Sequence, residues 1–192
     1  DLARADANLT NMIVQVDHAG GIVRRIRDFL RRGHPRVSTV DVPSVLEDAV
    51  MLAHAEAEAK GVRLALVRNG SLPQIFGDRV QLQQVVLNLI RNSIDAINAT
   101  ERDGTIKLEA RQLSTPGRVE FSVLDSGPGI DEETAQRLFE PLMTSKLEGL
   151  GLGLAICTSI VEAHGGKLWL HSRAPGATEF RFTIPLENPR GS

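Results

Sequence analysis

Asn88 and Asn92, in VVLNLIRNSIDAI, are four residues apart and therefore stand one above the other on a single helix face. Two amide oxygens so placed offer neutral ligands to a hard cation such as Mg2+, which prefers oxygen, keeps most of its waters and is completed by substrate phosphates. Taken alone, the pair reads first as a solvated polar stripe. Asp95 continues the line. Leu82, Val85, Leu89, Ala96 and Ile97 form the opposite, apolar face, expected to pack on a sheet.

Two glycine-bearing segments downstream supply what such a helix needs. In DSGPGI, Asp125 stands at a strand end as an acceptor for an exocyclic amine, Gly127 and Gly129 let a flat ring approach the backbone, and Ile130 adds an apolar wall. A tight turn after a strand is the plainer alternative. In GLGLGL, Gly149, Gly151 and Gly153 carry no side chain to block an anion, and a helix beginning near Leu152 points free N–H groups outward, an end that suits polyphosphate. A flexible linker would explain the glycines but not Leu150 and Leu152, since such linkers are serine-rich. Between the two segments, FEPLMTSKLE reads as a lid, with Thr144, Ser145 and Lys146 placed to meet a terminal phosphate or simply to stay exposed. Thr178, in GATEFRF, is placed to reach a base through water or to serve as an ordinary strand residue.

These residues need a scaffold that alternates helix and strand. Strands are expected at VSTVDV (37–42), RLALVR (63–68), TIKLEARQ, RVEFSVLD, GKLWLHS and ATEFRFTIP. Helices are expected from Pro43 to Gly61, from a capping-box-like Asp78 and Gln81 to about Ala99, over DEETAQRLFE, and after GLGLGL. Before all of this, Leu2, Leu9, Val16, Val23 and Leu30 alternate with Ala5, Met12, Ala19 and Ile26 in coiled-coil or bundle spacing, ended by Gly33 and Pro35. The arginines of RRIRDFLRR fall off that seam and read as a solvated helix face.

The chain has 192 residues, 42% of them hydrophobic, enough for a sizeable core. A formal charge of -2 gives no electrostatic reason to expect nucleic-acid binding or contact with an anionic membrane. The single cysteine, Cys157, has no internal disulfide partner, which suits a reducing cytoplasm. The start at Asp1, without methionine, reads as part of a longer protein.

In order and spacing, Asn88/Asn92, DSGPGI, LFEPLMTSK, GLGLGL and GATEFRFTIP resemble the ATP-binding domain of sensor histidine kinases, over about Val37 to Leu186. The resemblance implies an α+β fold, the two-layer Bergerat sandwich, with a mixed, mostly antiparallel sheet and helices on one face. It implies three regions: a partial dimerisation helix over 1–34, the ATP-binding domain over 35–188, and a disordered tail over 189–192. It further implies that Asn92 ligates Mg2+ while Asn88 supports the phosphates, and that Asp125 recognises the adenine amine beside Gly127 and Gly129. Phe139 is implied to anchor the lid, Lys146 to face the phosphates, and Gly149, Gly151 and Gly153 to form the phosphate loop. Leu142 and Met143 replace the aromatics usual in the lid motif.

The implied partners are ATP, a second copy joined through the N-terminal helix, and a response-regulator receiver domain. Related ATPases carry glutamate at the Asn88 position as a general base; asparagine cannot accept that proton, which favours phosphoryl transfer over hydrolysis. The family's acceptor histidine precedes an acidic residue, a context that His18, His34, His54, His164 and His171 all lack, so it is expected upstream of Asp1. Two rival readings are an ATPase or serine-kinase switch of the same superfamily and a nucleotide-binding regulatory module without transfer chemistry.

Overall fold

A computed structural model of the chain describes residues 37–68, 70–114, 117–140 and 152–186. The helix expected over 1–34, the expected lid beyond Glu140 with the glycine-rich residues up to 151, and the tail lie outside the described residues. The elements run β1 (Ser38–Val40), α1 (Val42–Ala59), β2 (Val62–Val67), β3 (Ile75–Gly77), α2 (Arg79–Asn98), β4 (Gly104–Leu113) and β5 (Arg118–Asp125). They continue with α3 (Glu132–Arg137), α4 (Gly153–Ala163), β6 (Lys167–Ala174) and β7 (Ala177–Pro185).

Five strands form the main sheet in the order β2-β4-β5-β7-β6, with β2 parallel to β4 and every other pair antiparallel. The mixed, mostly antiparallel sheet is the one expected. Alternation sorts its two faces. Ile106, Leu108, Val119, Phe121, Val123, Phe182 and Ile184 are buried in the core they share with the helices. Phe121 and Phe182 are cross-strand neighbours with stacked rings, centroids 4.5 Å apart, worth about 0.5–1.5 kcal/mol beyond the area they bury. On the opposite face charges pair along and across the strands: Arg111 and Arg181 both reach Glu120 Oε1, at 2.7 and 3.4 Å.

Helix starts are set by aspartates. Asp41, Asp78 and Asp131 each accept backbone N–H groups at the head of α1, α2 and α3. Asp41 therefore closes the first strand instead of extending it, and the helix begins at Val42. The short strand β3 was not expected; it pairs antiparallel with β1 in a separate two-stranded sheet. Three residues are too few to show an alternation, and the pairing with β1 rather than local propensity makes them a strand.

Helix α2 lies along the core side of the sheet and buries Leu82, Val85, Val86, Leu89, Ile90, Ile94 and Ile97. Arg79 ties its head to α1, donating to Ser44 Oγ and Asp48 Oδ2, both at 2.6 Å. Ala96, expected within the apolar face, is only half-buried, and its Cβ would lie 3.5 Å from a Cβ at Gly127. The burial arc is rotated so that Asn88, Asn92 and Ala96 share one line.

Candidate functional site

Asp125 is the last residue of β5 and is 3% exposed. Three donors converge on it: the Gly127 N–H reaches Oδ1 at 2.8 Å, the Ser93 hydroxyl reaches Oδ2 at 2.9 Å, and the Thr178 hydroxyl also bonds to it. Sheet register puts Thr178 there, because it is the direct cross-strand partner of Asp125 on β7. Burial pushes the carboxyl above the usual carboxylate range, and the three hydrogen bonds only partly offset that. A carboxylate offers about four lone-pair directions, so three donors leave one acceptor direction unfilled.

The loop after Asp125 is clamped to the β6–β7 turn. Gly176 N–H donates to Gly127 O at 2.8 Å, Ile130 N–H donates to Arg173 O at 3.0 Å, and Arg173 pairs with Glu132. At Gly129, with φ of +86°, a Cβ would lie 2.8 Å from both Arg173 O and Pro175 N. The turn packed against this glycine is therefore enough to require it. A Cβ on Gly127 would lie 2.7 Å from Asp125 Oδ1, so a side chain there would displace the carboxylate. Ile130 is half-buried against the core, as is Phe139.

The two asparagines are half-buried on α2, on the line that ends at Ala96 beside this loop. Asn88 hydrogen-bonds to Cys157, whose thiol also donates to Val85 O at 3.9 Å, so α4 packs directly against the asparagine face. Cys157 is fully buried and its thiol is pushed up to about 12, which keeps it protonated at neutral pH. Asp95 faces α1, where its Oδ1 accepts from Lys60 Nζ at 3.1 Å. Burial alone would lower the Lys60 pKa, but Asp95 and Glu56 outweigh it and raise it. The structure thus gathers Ser93, Gly127 and Thr178 around Asp125, sets Asn88 against Cys157, and pairs Asp95 with Lys60 on another flank of the helix.

Helix α4 begins at Gly153 with Leu152 as its cap, and no side chain satisfies its first N–H groups. A Cβ on Gly153 would meet nothing within 4 Å. This end suits an anion. Asn88 bonds to Cys157, one turn into the helix, so the asparagine pair lies beside that end. Lys146, Gly149, Leu150 and Gly151, together with Thr144 and Ser145, lie outside the described residues.

Two contributors carried no motif. Ser93, in the buried arc of α2, was visible as a hydroxyl among apolar residues that must find a partner; Cys157 looked like an ordinary core residue.

Residues 77–188 match the family model described as histidine kinase-, DNA gyrase B- and HSP90-like ATPase. The chain belongs to this family. It is 36% identical to the sensor histidine kinase TmoS of Ectopseudomonas mendocina over 97% of its own length and 19% of that protein's. Among solved structures, full-length ShkA in complex with AMPPNP superposes with a TM-score of 0.82 at 28% identity, over 96% of this chain and 39% of ShkA. The histidine kinase ThkA in complex with the response regulator TrrA gives 0.73 at 27% identity, over 95% of this chain and 50% of the matched one. The chain spans well under half the length of the curated relatives it matches. Among the described residues no helix is long and apolar enough to cross a membrane.

Proposed function

We propose that this chain is the ATP-binding catalytic part of a sensor histidine kinase, which transfers the γ-phosphoryl group of ATP to a histidine elsewhere in the parent protein for relay to a response-regulator aspartate. The observation that carries this reading is the single unfilled acceptor direction of Asp125, at a strand end beside an asparagine-bearing helix and the uncapped end of α4.

Adenine fits that acceptor because its exocyclic amine donates; guanine presents a carbonyl oxygen at the equivalent position and would be repelled. Gly127 keeps the carboxylate in place, and Ile130 supplies an apolar contact to the base. The phosphates run toward α4, where the uncapped N–H groups and helix dipole stabilise their charge. The donor set suits Mg2+: Asn88 and Asn92 offer neutral amide oxygens, and among the described residues no group of three or more His, Cys, Asp or Glu could hold a metal. An ion held by one or two amides and the phosphates themselves matches the chemistry of Mg2+, with Asn92 as ligand and Asn88 beside it. When bound, Mg2+ neutralises charge on the phosphates during transfer.

The residues contribute positioning and charge stabilisation, the main terms in phosphoryl transfer. The rival ATPase reading needs a general base near the phosphates. Asn88 cannot serve, and its hydrogen-bond partner is a thiol that stays protonated. Lys146 and the glycines 149, 151 and 153 would complete the phosphate site, a second copy of the chain would pair through the 1–34 segment, and a receiver domain would accept the phosphoryl group; ThkA, crystallised with TrrA, supports that last partner. A cytoplasmic location suits this chemistry.

Calorimetric titration tests the reading. ATP with Mg2+ should bind and GTP should not, and Asp125→Ala should abolish ATP binding while the fold persists. Equal binding of both nucleotides, or neither, would refute it. Label from γ-phosphate-labelled ATP appearing on a histidine-bearing hairpin supplied in trans distinguishes a kinase from an inert module.

A further inference from the structure

The foot of α4 and the head of α2 meet at one imidazole. His164, 4% exposed, accepts the Asp78 N–H at Nε2 (2.9 Å) and places Nδ1 2.8 Å from Ile160 O. Because the amide must donate, Nε2 carries the lone pair and Nδ1 the proton. Asp78 caps α2, and Ile160 lies in the last turn of α4. One side chain thus satisfies a helix-end carbonyl and a helix-start amide on two different helices.

A second contact on the same seam gives the direction of packing. Cys157 lies seven residues before His164 and meets Val85, which lies seven residues after Asp78. The helices are therefore antiparallel and in step. Four residues further, the step that reaches Gly153 on α4 reaches Leu89 on α2, between Asn88 and Asn92. The anion-binding end of α4 is level with the amide pair because of where His164 pins the other end. A slip of one turn would carry it past them by about 5.4 Å.

We propose that His164 is a positioning residue that sets the register between the phosphate-binding end of α4 and the asparagine pair of α2, and so couples Mg2+ binding to ATP binding. The proposal rests on the Mg·ATP reading of the site. A residue needed only for folding would weaken ATP binding equally with and without the ion. A residue that sets this register acts on the difference.

Isothermal titration of the full chain with ATP, in excess Mg2+ and again in EDTA, gives the factor by which the ion strengthens binding. His164→Gln places an amide oxygen where Nε2 stood and should keep the wild-type factor. His164→Asn keeps a donor toward Ile160 but falls short of Asp78. It should reduce the factor by about tenfold, within the usual range for coupling between sites, while leaving affinity in EDTA unchanged. Gly77→Ala, whose Cβ would lie 2.9 Å from Leu82 Cδ1 and 3.0 Å from His164 Cδ2, crowds the ring together with Leu82 and should give the same loss if His164→Asn fails to fold. An unchanged factor in the asparagine variant, or in Gly77→Ala where that variant replaces it, overturns the proposal, as does an equal loss with and without Mg2+. Absence of ATP binding in the wild-type chain would instead sink the site reading itself.

Discussion

Ser93 donates its hydroxyl hydrogen to Asp125 Oδ2 across 2.9 Å, joining the helix that carries the asparagines to the strand end that carries the carboxylate. Both residues are buried, so neither hydrogen-bonding capacity is met by solvent. The bond fixes Asp125 relative to α2 as much as it stabilises the charge.

Ser93→Ala tests this link. Loss of one neutral-to-charged hydrogen bond should cost about 1.5–3 kcal/mol of stability, read as a lower urea midpoint with unchanged slope. The Asp125 pKa should rise further, and ATP affinity at neutral pH should fall without being lost.

Asp125 also sets a pH dependence. Its folded pKa is raised by burial, so the contribution of this group to stability is fully present below its unfolded pKa and is lost as pH rises through the folded value. On the proposed reading nucleotide binding should run the opposite way, because the amine needs the ionised acceptor. ATP affinity should therefore begin to fall, on acidification, at a pH above the ordinary aspartate range. Calorimetry across that range checks it; a midpoint at or below the ordinary value would contradict the assignment.

Gly129→Ala should disorganise the adenine side. With φ of +86° and turn backbone 2.8 Å from the added carbon, the substitution has nowhere to relax. A cost of about 1–3 kcal/mol is expected from the backbone conformation alone. ATP affinity should drop together with the melting temperature, whereas Gly117→Ala, with nothing within 4 Å of its Cβ, should cost stability through its φ of +64° but leave ATP affinity intact.

Cys157 should be inert to alkylation in the native state. Its pKa near 12 leaves almost no thiolate at pH 8, and the sulfur is buried between α4 and α2. Mass spectrometry after iodoacetamide treatment should show modification only where denaturant has unfolded the chain.

Much of the site was legible because its residues follow local rules. Asp125 closes a strand that alternates through Val119, Phe121 and Val123, and β7 begins and ends where ATEFRFTIP does. The asparagine stripe follows from helical spacing alone. What stayed hidden depends on partners far along the chain. Ala96 fits an apolar helix face until the sheet's position shows it turned toward Gly127. Asp95 continues the polar line, yet Lys60, 35 residues earlier, claims its carboxylate. At Gly129 part of the constraint is invisible locally, because the backbone that forbids a side chain there comes from residues 173–175. No spacing rule pairs His164 with Asp78, 86 residues apart.

The clamp between the DSGPGI loop and the β6–β7 turn bears on how the protein is made. Gly127 and Gly176 are joined across 49 residues, and Asp125 receives a donor from Thr178. A chain emerging from the ribosome has the Asp125 carboxylate early but lacks the Thr178 hydroxyl and the turn that orient it until the β6–β7 hairpin is synthesised. Such long-separation pairing is slow to close. The synthesis of β7 thus governs when Asp125 in a newly made molecule first acquires its full set of donors.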